Sequence, residues 1–464
     1  MNTMSNSTPG SSAPRSSSRR QFLKNSGTVA AAATVAGMVV PSVHAAEDNT
    51  IRVALVGCGG RGTGAASDAL SVKDVPIKLV ALADVFEDRL EQSHRGLKTN
   101  FGEKGDVPKD KQFLGFDAYK KAMDCLRPGD VAIFATPLAF RWVHFGYAIE
   151  KGLNVFMEKP LTADGPTSRK MLKLGEEAEK KNLKVGVGLM SRHSRAMQQL
   201  ADRIHGGEIG DIILLRGYRM HEPLADMDAA PKPDNMTEVA YQIRKFHSFL
   251  WASGGCYSDF YIHIIDHCCW MKNAWPVKAQ AVGGRHYRGN HVDQNFDIYG
   301  VEYVFADGAR FLMDGRCMNG CTLMYNSAAH GTKGSATISN NGDIGTPSAI
   351  YKGLGGTDLV WESKLGKDER NPYQNEWNDL IEAIRSDKPY NEVKRGVEAS
   401  LVTSMGRMAA HTGREITYDQ ILNSKHEFAP TVDRLTMDGP APLVADAQGK
   451  YPVPQPGIIT DREF

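Results

Sequence analysis

Cysteine is scarce: seven residues in 464, an odd number with no regular spacing. That excludes a scaffold built on disulfides. No stretch reaches the roughly 20 apolar residues that cross a bilayer, so no stable membrane insertion is expected. No charge block of either sign stands out. Lys+Arg 55 against Asp+Glu 54 gives +1, which argues against a nucleic-acid partner. His263, Asp266 and His267 could imitate a metal site, but no further ligand set has a recognisable spacing, so no metal is expected. What is there is an ordinary globular composition, 41% hydrophobic and 23% charged, long enough for two large domains or three average ones.

The first 45 residues are an address. Residues 1–17 are rich in Ser, Thr, Pro and Gly. Ser18-Arg19-Arg20-Gln21-Phe22-Leu23-Lys24 follows, then a short apolar run from Gly27 to Val40 and the small-residue cleavage pattern Val43-His44-Ala45. Paired arginines before a weak apolar run read as a twin-arginine export signal, and a periplasmic or otherwise exported protein is expected. Losing 1–45 leaves 51 basic against 54 acidic side chains, a net −3. Folding before export, in a reducing compartment, favours free and mostly buried thiols. Cys268-Cys269 and Cys317 with Cys321 are the alternative bridges.

The mature chain opens with Ile51–Val56, a Val/Ile-rich run suited to a buried parallel strand. It enters Gly57-Cys58-Gly59-Gly60-Arg61-Gly62, the G-x-G-x-x-G pattern. Gly57 serves the tight turn, Gly59 the approach of a pyrophosphate, and Gly62 the packing of the helix expected from about Thr63. A second run, 78–83, ends at Asp84, 22 residues after Gly62, where an acidic group should hold ribose hydroxyls. A carboxylate there repels a 2′-phosphate, so NAD is favoured over NADP. Strand and helix signals then alternate. Strands are expected at 131–135, 154–157 and 184–188, and helices at 140–151 and 166–182. Repeated strand–helix units imply a doubly wound parallel sheet, a Rossmann domain over about 50–190. Ligands bind beyond the carboxyl ends of such strands, where Asp84, Thr136-Pro137, Lys159 and 190–193 fall.

A strand ending in Glu158-Lys159-Pro160, about 100 residues after the glycine pattern, resembles the Gfo/Idh/MocA oxidoreductases. Gly207-Glu208-Ile209-Gly210 and the segment Gly254-Gly255 through Asp259, His263 and Asp266 resemble two further motifs of that family. The resemblance spans about 50–425. Phe140-Arg141-x-x-His144-Phe145 is similar to a subset of exported members. The resemblance implies a second α+β domain, 191–427, with a large, open, mostly antiparallel sheet through which members form homodimers or homotetramers. Strand patterns at 275–286, 297–305, 309–317 and 334–339 agree. Helical patterns at 372–387 and 391–410 should pack back on the sheet or on the first domain. The tail, 428–464, reads as a loose terminus or as an arm on a neighbouring subunit.

Oxidising an alcohol needs a base for the hydroxyl proton and a positive group for the developing alkoxide. Asp259 and His263 are four apart in an expected helix, 259–270, and so share a face. His263 is the expected base, with Asp259 orienting it or touching substrate, and Lys159 the expected hydrogen-bond donor. The resemblance assigns catalysis to the same three residues. It also extends cofactor binding to Gly60, Arg61, Thr136, Pro137, His144, Glu158 and Lys159; His144 could equally only cap its helix. Arg192, His193, Arg244, His247 and Trp251 are candidate substrate contacts, with Tyr218, Arg219 and His221 nearby. Donors mixed with aromatics suit a sugar or polyol. The expected activity is hydride transfer between a sugar carbinol and a tightly bound nicotinamide. A redox-neutral glycosidase, lyase or epimerase using transient oxidation is the alternative.

Overall fold

The computed structural model describes residues 49–339, 347–366, 369 and 371–464. The expected export signal therefore lies outside the described residues. The apolar runs become six parallel strands: β1 (Ile51–Val56), β2 (Ile77–Asp84), β3 (Gln112–Leu114), β4 (Val131–Phe134), β5 (Asn154–Met157) and β6 (Val185–Val187). Their order is β3-β2-β1-β4-β5-β6, so the sheet reverses direction between β1 and β4 and leaves a crevice there. The fold puts the glycine loop and Thr136 at that crevice.

The crossover helices are α1 (Gly60–Leu70), α2 (Glu87–Phe101), α3 (Ala118–Met123), α4 (Arg141–Glu150) and α5 (Gly165–Lys180). α1 starts three residues before the expected Thr63, so the second half of the glycine motif is already helical. α5 begins where expected because Asp164 caps it, its carboxylate accepting from Thr167 N at 2.8 Å, with Pro166 in the first turn.

After α6 (Arg195–His205), the second sheet is built on β7 (Ile212–His221), α7 (Glu238–Arg244), α8 (Leu250–Ser253) and α9 (Gly255–Lys272). Its other strands are β8 (Lys278–Gly284), β9 (Ile298–Val304), β10 (Arg310–Cys317), β11 (Met324–Gly331), β12 (Ser335–Ser339), β13 (Ala349–Tyr351), β14 (Leu359–Glu362) and β15 (Ile416–Thr417). They form a nine-stranded open sheet, antiparallel except where β10 runs parallel to β7. Alternation is clean in β9 and β10: Tyr299, Val301, Tyr303, Phe311 and Met313 point inward and are buried. α9 and α11 (Val393–Thr412) cover that inner face. Val282, Ile298 and Met324 stand exposed on the other.

α10 (Pro372–Arg385) returns to the first sheet, where Trp377 packs on Phe156. The segment before α11 continues past the edge of β6, with Val185 N bonded to Tyr390 O at 2.8 Å. An unpaired parallel edge is thereby covered. The expected return of the late helices is thus found, and they serve both sheets.

The tail is not loose, since it packs on its own chain. Phe428, Val432, Leu443 and Tyr451 join a core with Trp251 and Phe249. Near its end Glu463, 3% exposed, accepts from Arg407 Nε and Nη2 at 2.8 Å each and from His411 Nδ1 at 2.7 Å. The buried guanidinium has no other anion within reach in its hydrogen-bond set. Glu463→Ala should therefore destabilise the protein by about 3–5 kcal/mol in denaturant unfolding, the cost of leaving one buried charge unpaired. Removing Asp461 instead should change stability by no more than about 0.5 kcal/mol.

Candidate active site

The glycine loop is shaped by sterics. Gly57 has φ +96°, and a Cβ on it would lie 2.7 Å from the Ala135 carbonyl carbon and Thr136 N. A Cβ on Gly62 would run into the Gly57 carbonyl. Gly60 has nothing within 4 Å of a Cβ, so the mouth of the loop is open. Asp84, at the end of β2, accepts from Cys58 N at 2.6 Å and Phe86 N at 2.9 Å, which fixes the carboxylate against the loop. Burial pushes that carboxyl up, while those N–H donors and Arg89 oppose it. A cavity of about 350 Å³ opens here. Gly57, Gly59, Gly60, Arg61, Gly62, Asp84, Thr136, Pro137 and His144 all line it. Those nine expected cofactor residues are brought together.

His144 lies on Phe140 with an interplanar angle of 12° and on Tyr119 at 4.4 Å, with Thr136 Oγ1 at 3.3 Å from its Nδ1. Burial, with Arg141 adding to it, lowers its pKa to about 3, so the ring is neutral. Arg141 is fully committed to structure: it donates to the Phe134 and Thr136 carbonyls at 3.0 Å each and holds the loop after β4.

Lys159 and α9 meet next to His247, which itself lines the cavity. Lys159 Nζ donates to the Asp259 carbonyl at 2.7 Å and stands 3.5 Å from Oδ1. His247 Nε2 lies 3.3 Å from Asp259 Oδ2, and its Nδ1 3.9 Å from Asp226. Burial alone would raise the Asp259 carboxyl; Lys159 and His247 outweigh it and hold the group at about 2. Burial would lower His247, but Asp226 and Asp259 raise it. His263 is driven the other way. Burial, then the charges of Lys159, His267 and Arg219, push it well down, and its Nδ1 has no partner. The site therefore sets the ionised Asp259, paired with Lys159 and His247, beside the neutral imidazole of His263.

No family model matches the chain. The inositol 2-dehydrogenase of Corynebacterium glutamicum (strain R) is 30% identical over 114 residues, 24% of this chain and 33% of that protein. The chain thus matches a third of the length of that relative. The rhizopine catabolism protein MocA of Rhizobium meliloti is 25% identical over 269 residues, 56% of this chain and 70% of that one. The chain is thus similar in sequence to an inositol 2-dehydrogenase and to a MocA protein, the kinds of protein its motifs resemble. A solved levoglucosan dehydrogenase, in complex with NADH and levoglucosan, superposes with a TM-score of 0.60 at 18% identity, covering 80% of this chain and 100% of that one. At that identity the likeness speaks for the fold.

Several expected Gfo/Idh/MocA site residues are spent on structure instead. Asp259 does not orient His263; its carboxylate partners are Lys159 and His247. Glu158 turns from the cavity to Arg61, with Oε1 2.7 Å from Nε. Arg192 makes a bidentate pair with Asp266 at 2.8 Å and lies over Trp270. His193 is buried between Asp379 at 2.7 Å and Glu392 at 3.3 Å. Trp251 is 1% exposed, donates to Gln242 at 2.9 Å and is core. Arg244 holds Asp88 and covers Phe86 at 4.0 Å, at the rim of the cofactor cavity and away from Lys159. Of the five substrate candidates, His247 alone touches the Lys159–Asp259 group.

Sequence reading missed Phe86, Phe116 and Tyr119, which line the cavity, and Ala225, Asp226 and Phe246, which reach it from the second domain. It also missed Phe260, whose ring lies 5.8 Å from Lys159 Nζ and 5.6 Å from the His247 ring. Phe260 sits beside Asp259 in a quoted motif, so position could have found it. The loop residues carry no such signal. The seven cysteines are all unpaired, as expected, and no bridge forms at 268–269 or 317–321.

His247 binds its proton more tightly in the fold than its ordinary 6.5, so its contribution is present below that value and lost as pH rises through the folded pKa. Asp259 behaves oppositely: its contribution is present above 3.8 and lost as pH falls toward about 2. His247→Asn should then destabilise more at about pH 5.5 than at about pH 8.5 in paired denaturation curves. Equal losses at both pH values would contradict the assigned pairing.

Proposed function

We propose that the protein transfers hydride between a carbinol carbon of a sugar or polyol and NAD seated between the glycine loop and Asp84. The observation that carries this is the meeting of Lys159, from the first sheet, with Asp259 and His263, from the second domain, next to His247, which lines the cavity. The residues fit a dinucleotide: the loop mouth is open, α1 offers its N-terminus to phosphate, and Asp84 is held by backbone donors at the ribose position. The relatives whose names state inositol 2-dehydrogenase, and a structural neighbour whose title states NADH, support the same reading.

Bound there, the nicotinamide would supply the hydride acceptor. The chain supplies the rest. Lys159 keeps its ammonium beside the reacting hydroxyl and lowers the cost of alkoxide character. His263, whose ring is neutral, takes the hydroxyl proton. Asp259 holds Lys159 in place. Arg219, stacked on Tyr325 at 4.2 Å, and Phe260 offer the polar edge and apolar face that a sugar ring needs. The paired arginines of the first 45 residues support export, and export supports a cofactor that stays bound and is regenerated in place. The exposed apolar residues of the open sheet support a homodimer or homotetramer formed through it.

Lys159→Ala and His263→Ala should each lower kcat by about 10²–10⁴-fold with cofactor affinity within about threefold of wild type. The readout is nicotinamide reduction with inositols and aldoses. Unchanged turnover in both variants would overturn the reading. The acid limb of kcat/KM should fall below pH 6.5, because burial makes His263 harder to protonate than a free imidazole. Cofactor choice has its own test. Arg89 already lines the cavity beside Asp84. Asp84→Ser should shift the NAD-to-NADP ratio of kcat/KM toward NADP by about tenfold or more, since a repelling carboxylate is removed and a guanidinium remains.

A further inference from the structure

Behind the catalytic helix lies a group that the proposed reaction does not use. His221 ends β7 and Cys317 ends β10; the parallel register places them opposite each other. Cys256, in the first turn of α9, comes up from below. The His221 ring nitrogen and the two sulfurs lie within 4.8 Å of one another, and all three residues are buried. Met227 Sδ is 3.5 Å from Cys317 Sγ and 1% exposed, which brings a second soft sulfur to the same point.

The imidazole is set for ligation. His221 Nδ1 lies 2.6 Å from the Glu222 carbonyl, which can only accept, so Nδ1 carries the proton. The lone pair is then on Nε2, which is buried and faces the Cys317 thiol. Fixing one nitrogen through a backbone carbonyl is how ligating histidines are commonly oriented. Two thiols, an imidazole and a thioether select a thiophilic cation over the oxygen-seeking ions. A tetrahedral ion at about 2.0–2.3 Å from each ligand needs donor atoms about 3.3–3.8 Å apart, a small contraction from what is seen.

We propose that His221, Cys256 and Cys317, with Met227 as a weak fourth ligand, hold one thiophilic d10 cation, zinc(II) or copper(I). Each thiol gives its proton to solvent as its sulfur binds, so two thiolates neutralise a zinc ion in the buried site. The ion clamps β7 and β10 to the start of α9, one turn before Asp259. It is structural, and no reaction step passes through it.

The test is metal content of the full-length protein produced with added zinc or with added copper under reducing conditions, measured as ions per chain after gel filtration. About one ion per chain is expected in at least one of the two preparations, falling at least fivefold in Cys317→Ser and unchanged in Cys125→Ser. Thiol alkylation read by mass spectrometry covers the case in which Cys317→Ser does not fold. In the metal-loaded wild type, Cys256 and Cys317 should resist modification during mild denaturation, and a chelator should remove that protection. No stoichiometric metal in either preparation, protection that ignores the chelator, or a Cys256–Cys317 disulfide that forms in place of the ion would overturn the proposal.

Discussion

The spacing between Lys159 and Asp259 depends on one buried guanidinium. Arg407, on α11, donates to the Ala163 carbonyl at 2.6 Å and to the Gly254 carbonyl at 3.2 Å, and it touches Ser258. Ala163 lies four residues beyond Lys159; Gly254 and Ser258 flank the start of the helix that carries Asp259. The same side chain thus holds both strand end and helix start. Its charge is balanced by Glu463, brought in by the tail. Burying a guanidinium costs several kcal/mol unless every donor finds a partner. The tail is therefore part of the framework that sets Lys159 against Asp259, although it stands far from both in sequence.

That framework explains why the electrostatics split as they do. Lys159 stands close enough to Asp259 to hold the carboxylate charged in a buried setting. With the carboxylate already engaged by Lys159 and His247, little of its field is left to charge His263. Burial and the nearby cations then win, and the imidazole stays neutral. A hydrogen bond donated by His263 to Asp259 would have raised the proton affinity of the imidazole. Without it the ring stays neutral over a wider pH range.

The first sheet was legible almost strand for strand, because buried parallel strands are short apolar runs between turn signals. β1, β4 and β5 lie where those runs predict. The middle of the second sheet was not. β11 reads Met-Tyr-Asn-Ser-Ala-Ala-His-Gly and carries no alternation, yet it pairs with β7 along its length. Its place is set by cross-strand partners such as Tyr325 beside Arg219, which no local pattern announces. The glycine loop, Asp84, Lys159 and His263 could be nominated because each sits at a strand end or on a helix face in a fixed motif. Asp226 and Phe246 reach the cavity only through the domain arrangement.

The substrate candidates that failed share a physical trait. Arg192, His193 and Arg244 had suitable chemistry and fell near strand or helix ends. Each has found carboxylates of its own: Asp266, Asp379 with Glu392, and Asp88. A polar side chain whose partners are all internal has nothing left to offer a ligand without breaking a buried pair. An unpartnered buried atom is no such mark, since His193 Nε2 and Arg244 Nε lack a hydrogen-bond partner just as His263 Nδ1 does. Residue type and position nominate a site residue; carboxylates already paired to it inside the fold argue against it, because a ligand would have to displace them.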